Sequence, residues 1–313
     1  MKIALFGATG FVGSYIVDEL ISEKITPRVM VRSGSEAKLS YGDQCEHIIG
    51  NIDDDMAVED TMNGCDAVIY NIGIIREFPK EGQTYEALHF LGAKRCIDIA
   101  KKLNISRFIL MSANGVKVDG TGYQKTKLMA EEYLKWSELD YTIFRPSLIF
   151  GDPRGDRPEF CTQLKKDMLS LPFPAPNFHT GLNPLNAGDF FMSPIYVKDV
   201  AKIFVKSLTS DEMIKKTYHL GGEAYSWPEI INTISNSYGK KKWIVPAPVF
   251  VIKILASLLD KFSWFPVTKD QISMLVEGNV CTSEDIFKIC DISPIPFNNE
   301  SLSYLKKSYN KTN

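Results

Sequence analysis

Three glycines near the N-terminus constrain the fold more than any other feature of this chain. Gly7, Gly10 and Gly13 follow an apolar run at residues 2–6 and precede residues with the periodicity of an amphipathic helix. The apolar run at residues 27–31 completes a strand–helix–strand unit, and such a crossover requires a parallel sheet. The sequence therefore predicts an α/β fold whose first strand and first helix are joined by a glycine turn.

A glycine turn between a strand and a helix is suited to bind a dinucleotide. Gly7 lets the chain turn off the strand, Gly10 lets a pyrophosphate approach the main chain, and Gly13 lets the helix pack close to the strand. The N–H groups and the positive dipole end of the helix then face the phosphates. An ordinary turn that binds nothing is the alternative. The expected contacts come from the turn and the first helical residues, namely Gly7, Thr9, Gly10, Phe11, Val12 and Gly13.

The end of the second strand indicates which dinucleotide is preferred. A carboxylate there would accept hydrogen bonds from the 2′-hydroxyl of NAD, whereas an arginine suits the 2′-phosphate of NADP. The strand ends in Val31-Arg32-Ser33, without Asp or Glu. We therefore expect Arg32 and Ser33 to favour NADP(H), with NAD(H) as the second option. In the alternative interpretation, Arg32 is a solvated loop residue.

Further strand ends extend the predicted cofactor site. Asn51 and Ile52 follow the third strand, and Asn71 and Gly73 follow the fourth. Pro146 closes the sixth strand, where it fixes φ and removes a donor, as suits a rigid crossover. Because the carboxyl ends of parallel strands face the ligand crevice of such sheets, we expect these five residues to line the cofactor.

A tyrosine and a lysine four residues apart are the candidates for chemistry. Tyr123 and Lys127 begin a predicted helix, in which positions i and i+4 share a face. An ammonium group lowers the pKa of a nearby phenol, which can then exchange a proton with a substrate oxygen, and Ser112 can hydrogen-bond the same oxygen. Tyr123, Lys127 and Ser112 are thus the candidate catalytic residues. Alternatively, Tyr123 and Lys127 anchor the cofactor ribose and the start of the helix. His89, in a predicted helix at residues 85–103, is interpreted as a histidine satisfied by a neighbour.

Composition excludes several classes of function. The net charge of −2 offers no general attraction to nucleic acid. The six cysteines show no CxxC spacing and no ligand-like pairing with the four histidines, so we expect free thiols in a reducing compartment and no metal site. No apolar run reaches the roughly 18 residues of a membrane-spanning helix, and the chain begins with a strand instead of a charged leader. We expect a cytoplasmic protein or its matrix-side equivalent.

The chain resembles the short-chain dehydrogenase/reductase superfamily over nearly its whole length. The resemblance rests on the motifs GATGFVG, VRS, NIG, MSANG, YQKTK, RPSLIFG, PIYVKDVA and YHLGG in this order. It implies a Rossmann-type doubly wound parallel sheet at residues 1–150, completed by parts of 190–222, and a smaller mixed α/β subdomain at 151–313. Only ten residues separate Ser112 from Tyr123. Active extended members have a longer loop there, so one wall of the substrate pocket is trimmed.

Within the superfamily, the chain is most similar to the NADPH-binding accessory subunit of respiratory complex I and its bacterial relatives. This resemblance implies an NADP(H)-binding accessory or assembly protein of a membrane respiratory complex, peripheral to the inner membrane, with the dinucleotide as a structural ligand. The second hypothesis is an active NADP-dependent oxidoreductase or epimerase of a small or nucleotide-linked substrate, using Tyr123, Lys127 and Ser112. We favour the first hypothesis.

An apolar and aromatic segment at residues 249–265 is unusual in the C-terminal half. It has three charged residues and is too short to span a bilayer, but as a helix it can lie in the membrane interface with its aromatic side chains inserted. A helix packed inside the subdomain or against a partner would have the same composition. The sequence therefore leaves two interpretations of this segment, a contact with a membrane or respiratory complex and a buried helix.

Overall fold

A seven-stranded parallel sheet forms the centre of the protein in the computed structural model, which describes residues 1–39, 41–181, 183–259 and 268–306. In chain order the strands are β1 (Lys2–Phe6), β2 (Thr26–Val31), β3 (Glu46–Ile49), β4 (Ala67–Tyr70), β5 (Arg107–Met111), β6 (Asp140–Pro146), β7 (Ile149–Phe150), β8 (Ala175–His179), β9 (Phe191–Met192), β10 (Ile195–Tyr196), β11 (Lys216–Leu220), β12 (Tyr225–Ser226) and β13 (Ile244–Pro248). The helices are α1 (Phe11–Ser22), α2 (Asp55–Met62), α3 (Gly92–Lys102), α4 (Gly122–Trp136), α5 (Phe160–Leu164), α6 (Val197–Ser207), α7 (Trp227–Ser237), α8 (Val249–Leu259), α9 (Lys269–Glu277) and α10 (Glu284–Ile289).

The strand order of the central sheet is that of a doubly wound fold. The strands follow one another as β11-β6-β5-β4-β1-β2-β3, and every neighbouring pair is parallel. The order reverses between β1 and β4, where the chain changes direction across the sheet. The Rossmann-type α/β sheet predicted from the glycine turn is therefore confirmed.

Helices cover both faces of this sheet, which explains why its central strands are apolar throughout. Ala4 and Phe6 belong to a core cluster with buried residues of α2, α3 and α4. Leu5 alternates with them and is also fully buried, so it needs cover on the other face. On that side α1 and α6 pack together, and α6 contacts the sheet where the ring centroid of Phe204 lies 4.6 Å from that of Phe144 in β6.

The chain divides into two compact units that are interleaved in sequence. The first unit comprises Met1–Pro146, Val197–Leu220 and Ser283–Ile292, and the second comprises Ser147–Tyr196, Gly221–Thr282 and Ser293–Asn313. The sequence predicts a boundary at residue 150, whereas in the structure residues 283–292, which contain α10, also belong to the first unit. The second unit holds three two-stranded sheets, β10-β7, β12-β9 and β13-β8, around its own core.

The apolar segment predicted at residues 249–265 begins as a helix. Helix α8 runs from Val249 to Leu259, directly after β13, while residues 260–267 lie outside the described part of the chain. Val249 is buried in the core of the second unit, but Phe250 and Ile254 are exposed. No helix within residues 1–39, 41–181, 183–259 and 268–306 is long and apolar enough to cross a membrane.

The helix predicted at residues 85–103 contains a change in helical winding. Residues Glu86–Leu91 form a π-helical segment, and α3 continues from Gly92. Gly92 is needed at the junction, because a Cβ there would lie 2.4 Å from the hydroxyl oxygen of Tyr70. The wider winding changes the direction in which His89 projects compared with a regular α-helix.

Candidate functional site

Most residues predicted to bind a cofactor lie at or just after the carboxyl ends of strands in the central sheet, and Lys127 lies in α4. Because these strands are parallel, their carboxyl ends meet at one edge, and the reversal of strand order between β1 and β4 opens a crevice there. The glycine turn follows β1, Arg32 follows β2, Asn51 follows β3 and Gly73 follows β4. The structure thus places the predicted cofactor residues along a single edge of the first unit.

The glycine turn is shaped by two positions where a side chain has no room. A Cβ on Gly13 would lie 2.0 Å from the carbonyl oxygen of Gly7, and a Cβ on Gly7 would lie 2.8 Å from that of Asn71. Gly7 also has a φ of +96°, which residues with side chains rarely adopt. Helix α1 therefore packs directly on the turn, and the turn packs directly on the end of β4.

Gly10 differs from its two neighbours because its outer side is open. A Cβ on Gly10 would approach a single atom closely, the carbonyl oxygen of Gly7 at 3.3 Å. Gly10 is the N-cap of α1, contributes no side-chain cap, and is followed by no acidic residue in the first turn. Phe11 and Val12 are partly exposed beside it. The start of α1 therefore has the open backbone and uncompensated positive dipole that suit a diphosphate.

The polar side chains that follow β2 and β3 differ in how free they are to contact a ligand. Arg32 and Ser33 are both exposed after the last residue of β2. Asn51 is exposed, and its Oδ1 accepts the main-chain N–H of Ile52 at 2.9 Å, while Ile52 itself is buried. Arg32 is thus available to a ligand, whereas the amide oxygen of Asn51 is already used within its own turn.

Lys127 ties together the ends of β4 and β5. Its ammonium group donates to the carbonyl oxygens of Ile72 at 3.1 Å and Met111 at 2.9 Å. A Cβ on Gly73 would lie 3.3 Å from its Nζ, so this glycine permits the close approach of the lysine. Burial lowers the pKa of Lys127 to about 8, against an opposing effect of Glu131. An anion bound near Nζ would raise this pKa again and so favour the charged form of Lys127.

Tyr123 is partly buried and packs against two aromatic rings. Its ring meets that of His89 edge to face with centroids 5.1 Å apart, and that of Tyr85 likewise at 5.8 Å. Burial raises the pKa of Tyr123 to about 12, which is opposite to the lowering that a catalytic phenol beside a lysine would need. In this arrangement the phenol keeps its proton at neutral pH.

His89 is a satisfied, neutral histidine, in line with its interpretation from the sequence. Its Nε2 accepts the main-chain N–H of Ile74 at 3.1 Å, so the ring proton resides on Nδ1, which faces Thr126 Oγ1 at 3.1 Å. Burial, and then the charge of Lys127, lower the pKa of His89 to about 2. The neutral imidazole therefore packs against the ring of Tyr123 and does not take up a second proton at neutral pH.

Ser112 does not present its hydroxyl to a substrate. It is buried, and its Oγ donates to Glu131 Oε1 at 2.5 Å. The same carboxylate accepts two hydrogen bonds from Arg145, from Nε at 2.9 Å and from Nη2 at 2.6 Å. Glu131 and Arg145 are not among the residues predicted from the sequence, although Glu131 lies four residues after Lys127 and hence on the same face of α4. The serine is thus held by a buried ion pair.

A second polar pair lies near the end of β6. His219 in β11 is paired in register with Arg145, and its Nδ1 lies 2.7 Å from Asn114 Oδ1. The main-chain N–H of Asn114 donates to the carbonyl oxygen of Pro146 at 2.8 Å. Burial lowers the pKa of His219, and the nearby Arg145 lowers it further. Pro146 is therefore a structural anchor for the loop that follows Ser112.

Comparison with known proteins identifies the chain as a member of an NAD(P)H-binding family. A family profile described as NAD(P)H-binding matches residues 7–167, which make up just over half of the chain. The mitochondrial 40 kDa subunit of NADH-ubiquinone oxidoreductase from Neurospora crassa is 26% identical over 310 residues, covering 96% of this chain and 78% of that protein. The photosystem II assembly factor Ycf39 of Trieres chinensis is 23% identical over 283 residues, covering 90% and 82%.

Solved structures agree on the fold. The UDP-glucuronic acid 4-epimerase of Bacillus cereus, solved with UDP-glucuronic acid and NAD, superposes with a TM-score of 0.72 at 19% identity, covering 98% of this chain and 99% of that chain. At this identity the likeness concerns the fold alone. The resemblance to the accessory-subunit group and the predicted Rossmann-type fold are both confirmed by these comparisons.

Proposed function

Because the chain belongs to the NAD(P)H-binding family, we propose that it holds NADP(H) as a structural ligand and serves as an accessory or assembly protein of a membrane respiratory complex. The relatives support this role: one is named as a subunit of NADH-ubiquinone oxidoreductase and another as an assembly factor of photosystem II. A dinucleotide in such a protein stabilises the folded form that the complex recognises.

The observation that carries this proposal is the state of the candidate catalytic residues. Ser112 is bonded to the buried Glu131, and the pKa of Tyr123 is raised to about 12. Lys127 donates to two main-chain carbonyls and so holds the ends of β4 and β5 in place. When bound, a nicotinamide dinucleotide can supply a hydride, but these side chains are arranged to hold a ligand and poorly arranged to move a proton.

The form of the dinucleotide follows from Arg32. Its guanidinium is exposed after β2, where the ribose of the adenosine half is bound in folds of this type, and no carboxylate stands at positions 32 or 33. A guanidinium pairs with a 2′-phosphate through charge-assisted hydrogen bonds, whereas it has no such partner in NAD. NADP(H) is therefore the preferred ligand in this proposal, and NAD(H) the weaker one.

The other residues predicted to contact the cofactor divide into two groups. Gly7, Thr9, Gly10, Phe11, Val12 and Gly13 would hold the pyrophosphate at the start of α1. Ile52, Asn71, Gly73, Lys127 and Pro146 would frame the two nucleosides through main-chain groups and shape. The location proposed for the protein is the cytoplasmic or matrix-side face of the inner membrane, as a peripheral partner of the complex.

The experiment asks whether the nucleotide turns over. The purified full-length chain is expected to release NADPH upon denaturation, and added quinones, aldehydes or nucleotide sugars should leave bound NADPH unoxidised. Tyr123→Phe should retain the nucleotide as the native chain does. Substrate-dependent oxidation of NADPH that disappears in Tyr123→Phe would overturn the accessory role and establish the oxidoreductase alternative.

A second measurement addresses the partner. Native electrophoresis of solubilised membranes, followed by detection of a tagged chain, should place the protein at the mass of a respiratory complex or of its assembly intermediates. Deleting the gene should reduce the amount of the assembled complex, and a Gly10→Ala copy should restore it poorly. Full assembly in the deletion strain would contradict the proposal.

A further inference from the structure

The second unit exposes large apolar side chains along one continuous stretch of chain. Between residues 240 and 254 the exposed apolar residues are Trp243, Val245, Phe250, Val251 and Ile254. The indole of Trp243 has 81% of its surface exposed. Isolated exposed apolar residues are ordinary, but a run of them including tryptophan and phenylalanine marks an interaction surface.

A second loop joins this stretch at its beginning. The ammonium group of Lys242 donates to the carbonyl oxygen of Leu171 at 2.6 Å, and the N–H of Ala175 donates to that of Trp243 at 2.7 Å. These bonds hold residues 171–175 beside residues 242–243. Leu171 and Phe173, both exposed, are therefore neighbours of Trp243 in the same surface. We call these seven apolar residues, Leu171, Phe173, Trp243, Val245, Phe250, Val251 and Ile254, the Trp243 surface.

Helix α8 follows β13 directly and extends the stretch with three exposed apolar side chains. Val249 points into the core of the second unit, whereas Phe250, Val251 and Ile254 are exposed. Positions 250 and 254 are four residues apart and hence share a face of the helix. The outward face of α8 at its N-terminal end is thus apolar, the reverse of the usual pattern for a helix at a protein surface.

Positive charge accompanies the Trp243 surface. Lys240 and Lys241 are exposed immediately before Trp243, and Lys242 is partly exposed. Burial, and then the charge of Lys240, lower the pKa of both Lys242 and Lys165, so these ammonium groups lie near one another. Among the described residues, no carboxylate forms an ion pair with any of these lysines, and the exposed Asp167 is the nearest acid in sequence to Lys165. The surface therefore combines apolar rings with uncompensated positive charge.

We propose that the Trp243 surface docks on the anionic face of a lipid bilayer, with Trp243 and Phe250 entering the interface and Lys240 and Lys241 contacting lipid phosphates. Amphipathic aromatic rings flanked by lysines are suited to the headgroup region of a membrane. A second copy of the chain is a poorer occupant, since a two-fold contact would bring the same lysines together. The inference rests on the proposed function for the membrane location, and its chemistry needs no nucleotide.

The test is binding of the full chain to vesicles. The native chain is expected to float with vesicles of phosphatidylcholine and phosphatidylglycerol and not with phosphatidylcholine alone. Trp243→Ala should weaken binding about tenfold, the effect of withdrawing roughly 55 Å² of apolar surface. Lys240→Glu with Lys241→Glu should weaken it at least about 25-fold, at roughly fivefold for each charge.

Matched controls come from the first unit. Trp136 is equally exposed, with 83% of its surface accessible, and Lys215 and Lys216 are another exposed lysine pair. Trp136→Ala and the double change Lys215→Glu with Lys216→Glu should leave vesicle binding unchanged. Equal losses in the two tryptophan variants would overturn the inference, and so would equal losses in the two lysine variants.

The same protein samples also test for a dimer and for retention of the nucleotide. Sedimentation of the native chain should give the same mass as Trp243→Ala, and a dimer that is lost in Trp243→Ala would overturn the inference in favour of a second copy. NADPH retention is measured on each variant. If the native chain retains nucleotide but does not bind vesicles, docking on lipid is refuted and the proposed function is not. If it binds vesicles but never retains nucleotide, the proposed function is refuted and docking on lipid is not.

Discussion

Two substitutions in the glycine turn should separate its role in folding from its role in nucleotide binding. A Cβ on Gly13 would lie 2.0 Å from the Gly7 carbonyl oxygen and 2.8 Å from Ala8 Cα, all in main chain that cannot rotate away. To reach 3.0 Å, the shortest distance that real Cβ atoms show, α1 and the turn must move apart by at least 1.0 Å. We expect Gly13→Ala to lower the free energy of unfolding by about 1–3 kcal/mol, the usual cost of overpacking, even without nucleotide.

Gly10→Ala is the contrasting variant. Its Cβ would meet the Gly7 carbonyl oxygen at 3.3 Å, a contact that needs a shift of only a few tenths of an ångström, and its φ of −74° suits alanine. The chain without nucleotide should therefore lose clearly less stability than in Gly13→Ala. The added methyl group nevertheless occupies the open side where we place the pyrophosphate. NADPH affinity should therefore fall by at least about 100-fold, since the charge-assisted bonds from the turn, each worth about 1.5–3 kcal/mol, would be lost together.

The assay pairs urea unfolding, with and without NADPH, and calorimetric titration of NADPH. Gly64→Ala controls for removing a glycine of positive φ elsewhere, because Gly64 has a φ of +72° and nothing within 4 Å of its Cβ position. It should cost about 1–2 kcal/mol of stability from backbone strain and leave NADPH affinity unchanged. Native affinity in Gly10→Ala, or equal stability of Gly10→Ala and Gly13→Ala, would refute this account of the turn.

Three further predictions concern single side chains. Arg32→Ala should weaken NADPH binding by about 10- to 100-fold, leave NADH binding unchanged and alter stability by less than about 0.5 kcal/mol, as judged by titration and urea unfolding. Glu131→Gln leaves Arg145 without its buried partner and should lower the free energy of unfolding by about 3 kcal/mol. Ser112→Ala removes one hydrogen bond and should lower it by about 1 kcal/mol. Equal losses in the two variants would contradict a stabilising role for the ion pair. The pKa of His89 is about 2 in the folded chain and about 6.5 in the unfolded chain. Between these pH values, the unfolded chain is protonated at His89 and the folded chain is not. Stability should fall as the pH drops below 6.5, by about 2 kcal/mol from pH 7 to pH 5, and His89→Asn should lose this part of the pH dependence.

The central sheet was predictable because its signals are local. The first strand has the bounds of the apolar run at residues 2–6, and the second begins one residue before the run at 27–31, since each run is ended by polar or glycine residues. The strand–helix–strand unit around the glycine turn then implied a parallel sheet and the position of the ligand edge. Each of these features depends on residues within about one turn or strand of one another.

The features that could not be predicted depend on contacts between residues distant in sequence, or on a helical winding that leaves no mark in the spacing of apolar residues. Ser112 meets Glu131 across 19 positions, so the bond exists only after α4 has packed beside β5. The π-helical segment at Glu86–Leu91 has no periodicity that distinguishes it from an α-helix in advance. Residues 283–292 join the first unit through tertiary contacts such as the bond from Ser283 Oγ to the carbonyl oxygen of His219 at 2.9 Å.

The interleaving of the two units has a consequence for how this gene can be divided. A fragment ending near residue 150 would contain the glycine turn but lack β11 and α6, leaving β6 as an exposed edge strand and Phe144 without its cover. A fragment that begins near residue 150 would carry α6 and α10 without the sheet they belong to. Neither half is therefore a transferable module, and recombination between relatives should preserve the whole coding region as one inherited block.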